Sequence, residues 1–256
     1  MCSNYRPVTR MDRLLRFFGV DRSKDEEPAD VFPLGIAPFI RLSLEAQEGG
    51  RPALVAEDGM FGLLPNFATE VQFGRRTYNA RSETVDKLAS FRQAWAAGQR
   101  CIISAEAIYE PCYESGRAVR WRIGQSGDVP MGIAGIYRRW RNPTGGELFT
   151  FAMLTVGADQ HPLMKRMHKP GEEKRMVVIL DRNEYLPWLT CSLVDARLYF
   201  KPWLGPLLGE AAPLARPPRA ANEPPTKDEI LPQKPANPAK PSTPNAPPPP
   251  SQGDFF

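Results

Sequence analysis

Histidine is nearly absent from this 256-residue sequence, which holds only His161 and His168. Its four cysteines, Cys2, Cys101, Cys112 and Cys191, form no C-x-x-C pair and lie far from both histidines in sequence. That spacing argues against a zinc site, so no metal is expected. No apolar run approaches the ~20 residues that a membrane helix needs, so no membrane partner is expected. The N-terminus lacks a charged-then-apolar signal segment, which favours a reducing compartment and free thiols over disulfides. The expected location is cytoplasmic, associated with the nucleoid. No internal repeat is visible. The net charge of +4 is too small to identify a partner unless it gathers on one face.

What is present is enough for one substantial core: 42% of residues are apolar and 10% aromatic. Composition changes sharply near residue 212, and the stretch from Pro213 to Phe256 carries fourteen of the twenty-eight prolines. Proline removes backbone donors, and apolar residues there are too sparse to offset chain entropy. The expected division is a folded domain over 1–205 and a Pro-rich disordered tail over 206–256.

Short strand-like runs appear at Ala53–Ala56, Phe61–Leu64, Cys101–Ser104, Val119–Ile123, Met131–Tyr137, Phe149–Val156 and Val177–Leu180. Val119, Trp121 and Ile123 alternate with arginines, as a half-exposed strand would. Helices are predicted over Ser82–Ala97, with Val85, Leu88, Phe91 and Trp95 on one face, and over Asn183–Leu189. Many short strands with few helices predict an α+β fold around a mainly antiparallel, barrel-like sheet.

The sharpest chemical possibility lies at Met1-Cys2. Removal of Met1 would leave an α-amine beside a thiol, a 1,2-aminothiol that only an N-terminal cysteine presents. Such an amine titrates at roughly 7.7–8.0, so part of it is neutral and nucleophilic at physiological pH. It can condense with an aldehyde, and the thiol can then close a thiazolidine ring.

Five further segments occur in one order: Phe61-Gly62-Leu63-Leu64-Pro65, Asn79-Ala80-Arg81-Ser82-Glu83-Thr84, Arg100–Ala105 leading into Ala107-Ile108-Tyr109-Glu110, Met164–Pro170, and Arg175–Leu180. In that order and spacing, over roughly residues 2–190, the chain resembles the SRAP family, SOS-response-associated peptidase-like proteins that cap abasic sites.

The resemblance implies a thiazolidine crosslink between the mature N-terminal Cys2 and the ring-opened sugar of an abasic site in single-stranded DNA, as part of the DNA damage response. It implies no metal and no organic cofactor. Glu110 matches the family's catalytic glutamate, suited to moving a proton between amine and departing hydroxyl. His168 matches its histidine, a side chain that titrates near neutrality. Asn79 is matched as a catalytic contact to the opened sugar or to the backbone near the cysteine. Arg81 is matched as a phosphate fork, and Thr155, Phe61 and Arg76 complete the expected DNA contacts. Arg75, Lys165, Arg166, Lys174 and Arg175 could widen a cationic groove. His161 reads as a surface or structural residue.

Departures from the family pattern accompany these matches. Ser3-Asn4-Tyr5 stands where Gly-Arg-Phe is common, Phe61 replaces a tryptophan, and Pro170–Lys174 is an extra segment between His168 and Arg175. The terminal Gln252-Gly253-Asp254-Phe255-Phe256 looks like a peptide for a sliding clamp or a single-strand-binding protein. A monomer is expected. Two other readings stay open: an N-terminal-cysteine peptidase, acting on itself or on other proteins, and a non-catalytic DNA-binding adaptor.

Overall fold

The computed structural model describes residues 2–43, 52–143 and 145–214. The chain divides into two units, Met1–Leu214 and Ala215–Phe256, and the second lies outside the described residues together with Gln252–Phe256.

The first unit opens with strand β1 (Asn4–Pro7) and helix α1 (Met11–Phe18). Strands β2 (Ile36–Leu42), β3 (Leu54–Phe61) and β4 (Asn79–Arg81) follow, then the short helix α2 (Arg92–Ala96). Next come β5 (Arg100–Cys112), β6 (Val119–Gln125), β7 (Met131–Arg141) and β8 (Glu147–Gly157). The unit ends with β9 (Arg175–Val177), β10 (Ile179–Leu180), α3 (Tyr185–Thr190) and β11 (Leu207–Ala211). Strands β7, β8, β3, β2 and β5 hydrogen-bond in that order, and β5 returns to β7, so five strands close into a barrel. Pairing is antiparallel except where β3 and β4 run parallel to β8. The expectation of an α+β fold around a mainly antiparallel barrel is borne out.

β5 organises the sheet. Residues Arg100–Ala105 pair with β7 inside the barrel, whereas Ile108–Cys112 pair with β6 on one side and Asn4–Arg6 pair with 107–109 on the other. A strand covered on both faces needs a near-continuous apolar run, and Cys101, Ile102, Ile103, Ala105, Ala107 and Ile108 supply one. Trp188 of α3 lies against the same strand and donates its indole N–H to the Cys101 carbonyl at 3.0 Å. The core is continuous from this barrel to α1, where Phe18 stacks on Tyr185 at 5.4 Å.

Several sequence expectations need correction. The Ser82–Ala97 segment is turns followed by α2 alone. Its apolar spacing reported burial faithfully for Val85, Phe91 and Trp95, yet Leu88 is exposed. Thr84 accepts from both Lys87 and Leu88, a tight-turn pattern, and the Ser82 amide is spent on the Thr155 carbonyl. The strand expected at Phe61–Leu64 instead ends at Phe61. Gly62 adopts φ +132° with the Gly74 backbone only 2.5 Å from where a Cβ would sit, so the chain turns there and only glycine fits. The Val177–Leu180 run splits at Val178 between β9 on β8 and β10 on β7. β11 lies past residue 205, where the domain was expected to end, and pairs with β6.

Candidate active site

Four of the residues singled out in the sequence meet at the outer end of β5. β1 lies along this end in antiparallel register, Asn4 opposite Tyr109, which brings Cys2 beside the Glu110 end of the strand. A second anchor holds β1 from its other side, where Tyr5 and Val31 exchange backbone hydrogen bonds at 3.1 and 2.8 Å. Asp30, next to that anchor, accepts from the Tyr109 hydroxyl and from Arg6 Nε at 3.0 Å each, and the Arg120 guanidinium lies 3.3 Å above the Tyr109 ring. The N-terminal strand is therefore fixed by charge-assisted bonds on ground close to the site.

Asn79, at the start of β4, donates from Nδ2 to the Cys2 carbonyl at 2.8 Å. Among the described residues its Oδ1 is buried without a hydrogen-bond partner. Glu110 Oε2 lies 2.9 Å from His168 Nε2, with both side chains buried. His168 sits in the left-handed backbone region at φ +64°, and its amide donates to the Pro111 carbonyl at 2.7 Å. A non-glycine residue there carries strain, which the surrounding contacts hold in place. Lys174 Nζ supplies two of those contacts, donating to the carbonyls of His168 and Lys169 at 3.1 and 3.0 Å. With Nε2 on a carboxylate, the imidazole leaves Nδ1 buried and without a partner among the described residues.

Cys2 is 1% exposed in the chain that carries Met1, and its Sγ lies 3.3 Å from the Asn4 carbonyl. Burial pushes its thiol pKa strongly up, and the Glu110 carboxylate adds to the effect. Tyr78, which the motif reading passed over, directly precedes Asn79 and packs on Phe61, and its pKa is raised by burial and then by Cys2 and Glu110. Its signal in the sequence was only its position before Asn79.

A second cluster adjoins the first through β4, whose Arg81 is in register with Thr155 of β8. Arg81 Nη1 donates to Glu173 Oε2 at 2.7 Å. Thr155 is buried and takes Arg175 Nε on its hydroxyl at 3.3 Å and Arg175 Nη2 on its carbonyl at 2.8 Å. Arg175 also binds Glu83 at 2.9 Å and Glu173 at 2.5 Å. Against the opposing effect of burial, Arg175 holds the Glu83 carboxyl below its usual range, and Arg175 does the same for Glu173.

Some expected roles do not survive. Phe61 has no face open to a base: it is fully buried, edge-on to Tyr5 at 5.3 Å and to Tyr78 at 5.6 Å, so it buttresses the site from behind. Arg175 belongs to the interior rather than to a cationic groove, and Arg166 is forked onto Glu114 at 2.7 Å. Arg76 is exposed at the end of the turn Val71–Arg76 and forms no ion pair among the described residues. His161 is structural and buried. Its Nδ1 accepts from the amides of Leu163 and Met164 at 3.2 and 3.1 Å, and burial lowers its pKa. Among the described residues no group of three or more His, Cys, Asp or Glu is arranged to hold a metal ion, and no helix is long and apolar enough to cross a membrane.

The family model described as SOS response associated peptidase (SRAP) matches residues 1–209. The chain belongs to the SRAP family. The family resemblance carried by the motifs is thereby borne out. The abasic site processing protein YoqW of Bacillus subtilis is 26% identical over 197 residues, covering 76% of this chain and 83% of that protein. The abasic site processing protein HMCES of Gallus gallus is 28% identical over 176 residues, covering 59% and 50%. A crystal structure of a protein from Bordetella bronchiseptica is similar at TM-score 0.74 and 38% identity, covering 83% of this chain and all of that one. A crystal structure of a protein from Bacteroides thetaiotaomicron shares the fold at TM-score 0.68 and 21% identity.

Proposed function

We propose that this chain processes abasic sites by forming a covalent thiazolidine with them in single-stranded DNA, using Cys2 after Met1 is removed. The observation that carries the reading is the convergence of an anchored Cys2 with Asn79 and the Glu110–His168 pair at one strand end. While Met1 is attached, the Cys2 nitrogen is an amide and cannot add to a carbonyl. Once freed, the amine attacks the ring-opened sugar aldehyde to give a carbinolamine, which loses water to an imine. The Cys2 sulfur then adds to the imine carbon, its proton passes to the nitrogen, and one water has been released overall.

Glu110 takes the amine proton in this reading and returns it to the departing hydroxyl, with His168 exchanging protons through the shared bond. Burial and Glu110 raise the thiol pKa in the chain that carries Met1, which favours an order in which the amine leads and the sulfur follows. Asn79, through the Cys2 carbonyl, fixes the direction of the nucleophile. Arg81 and Arg76 hold phosphates of the strand, while Thr155 sits between Arg81 and Arg175. The Gln252–Phe256 peptide would recruit the protein to a sliding clamp or a single-strand-binding protein, a reading that equal binding by a chain lacking those residues would sink.

The deciding experiment mixes the mature protein with an oligonucleotide carrying one abasic site and runs a denaturing gel. A shifted band, absent for Cys2→Ala and for undamaged DNA, is expected. No band from protein with a verified free Cys2 amine would overturn the reading in favour of peptide chemistry or simple binding.

A further inference from the structure

The segment that separates His168 from Arg175 carries Glu173, and this carboxylate occupies two arginines at once. Its Oε2 takes Arg81 Nη1 at 2.7 Å, and its Oε1 takes Arg175 Nη1 at 2.5 Å. Two oxygens of one anionic group set against two guanidinium forks make the arrangement a phosphate of a strand would make. Arg81 and Glu173 are each nearly half-exposed, at 46% and 44%, so an incoming backbone meets this pair directly. Arg175 does not depend on Glu173 for charge balance. It is 2% exposed and keeps Glu83 at 2.9 Å and both oxygens of Thr155 when Glu173 leaves. The carboxylate can therefore swing away without stranding a buried charge, a loss that would otherwise be severe.

We infer that Glu173 is a specificity-determining residue: it competes as a phosphate mimic for Arg81 and so weakens the binding of undamaged single strands. This rests on the reading of Arg81 as a phosphate contact. An undamaged strand gains no covalent bond, so its affinity carries the full cost of displacing Glu173. A strand with an abasic site is captured once displacement has occurred, however briefly, and so is less affected at equilibrium. Glu173 thereby widens the difference between damaged and intact DNA.

The test measures fluorescence anisotropy of a labelled, undamaged single-stranded oligonucleotide with the full-length chain, its Glu173→Gln variant and a Glu210→Gln control. Glu210 is on β11, and its contact with Arg122 is loose at 3.9 Å, so the control repeats the charge change away from Arg81. Thermal melting of each variant confirms that it is folded. Release of Arg81 from its half-exposed pair with Glu173 predicts roughly fivefold tighter binding for Glu173→Gln at low salt, shrinking as salt rises, and a much smaller gain for Glu210→Gln. Unchanged or weaker binding by Glu173→Gln would overturn the inference, the weaker result meaning that Glu173 only holds Arg81 in place. An equal gain from both variants would also overturn it, reducing the effect to net charge. Crosslinking of an abasic oligonucleotide, scored in parallel on a denaturing gel, separates the two ideas. A Glu173→Gln gain without any crosslink by wild type keeps the competition and removes the covalent function, and a wild-type crosslink without that gain does the reverse.

Discussion

The two halves of β5 share one strand and follow opposite rules. From Arg100 to Ala105 it lies in the closed barrel, paired with β7, with Ile102 and Ile103 fully buried among apolar neighbours. From Tyr109 to Cys112 it is buried except at Pro111, yet it carries Glu110 beside Cys2 and His168, and it abuts a residue held in the left-handed region. The first half is stable because burial and local preference agree. The second hides polar groups and strain, which the surrounding barrel has to hold in place. The difference teaches that this fold puts its apolar core and its candidate site on one strand, separated by only a few residues.

Substitutions can break that comparison, and the largest effect falls at the reactive end. Cys2→Ala is expected to abolish the adduct on a denaturing gel while leaving the far-UV circular dichroism spectrum of the barrel intact. Glu110→Gln keeps the shape and loses the proton carrier, so single-turnover adduct formation should slow by about 10²–10⁴-fold. In the barrel half, Ile103→Ala should cost about 2–5 kcal/mol in urea unfolding, with an adduct rate unchanged in protein that remains folded. If Ile103→Ala slowed the chemistry as much as Glu110→Gln, the division of labour along β5 would be wrong.

Smaller effects sharpen the contrast. His168→Ala and His168→Gly both remove the imidazole, and at φ +64° they differ only in the Cβ. Glycine should be more stable than alanine there by about 1 kcal/mol, the reverse of their order in an ordinary helix or strand. Alkaline pH is the mildest probe. Cys2 is raised above its ordinary value of 9.0, so the native chain keeps a proton that the unfolded chain gives up. Its contribution is therefore complete below about pH 9 and declines as pH climbs above it. The melting temperature of wild type should fall between pH 9 and 10 by more than that of Cys2→Ala.

The barrel was largely legible because burial leaves a periodic trace: the apolar runs at 101–104, 131–137 and 149–156 all lie in strands. α1 left no such trace, being eight residues long with only Leu14 and Phe18 buried. The Ser82 segment misled because turns can bury the same i, i+3 positions as a helix. Family motifs singled out Cys2, Asn79, Glu110 and His168, which the fold brings together, and residue chemistry alone could not have joined four positions so distant in sequence. Glu173, Lys174 and Tyr78 were opaque for a different reason: their roles depend on which partner lies opposite, and no spacing rule encodes that. Phe61 shows the converse, an aromatic whose chemistry suited DNA but whose turn at Gly62 sent it inward.

β1 also sets how the molecule would bear a load. It is four residues long, and Cys2 lies just before it, while its hydrogen bonds run to β5 on one side and to Val31 on the other. A DNA strand joined to Cys2 and dragged by a moving enzyme would pull on this strand from its very end. Tension perpendicular to β1 would open its pairs one at a time, whereas tension along it would stress them together. In such an adduct the direction of the pull would therefore decide whether the protein holds fast or is peeled from its N-terminus, leaving the barrel intact behind a short, unzipped leash.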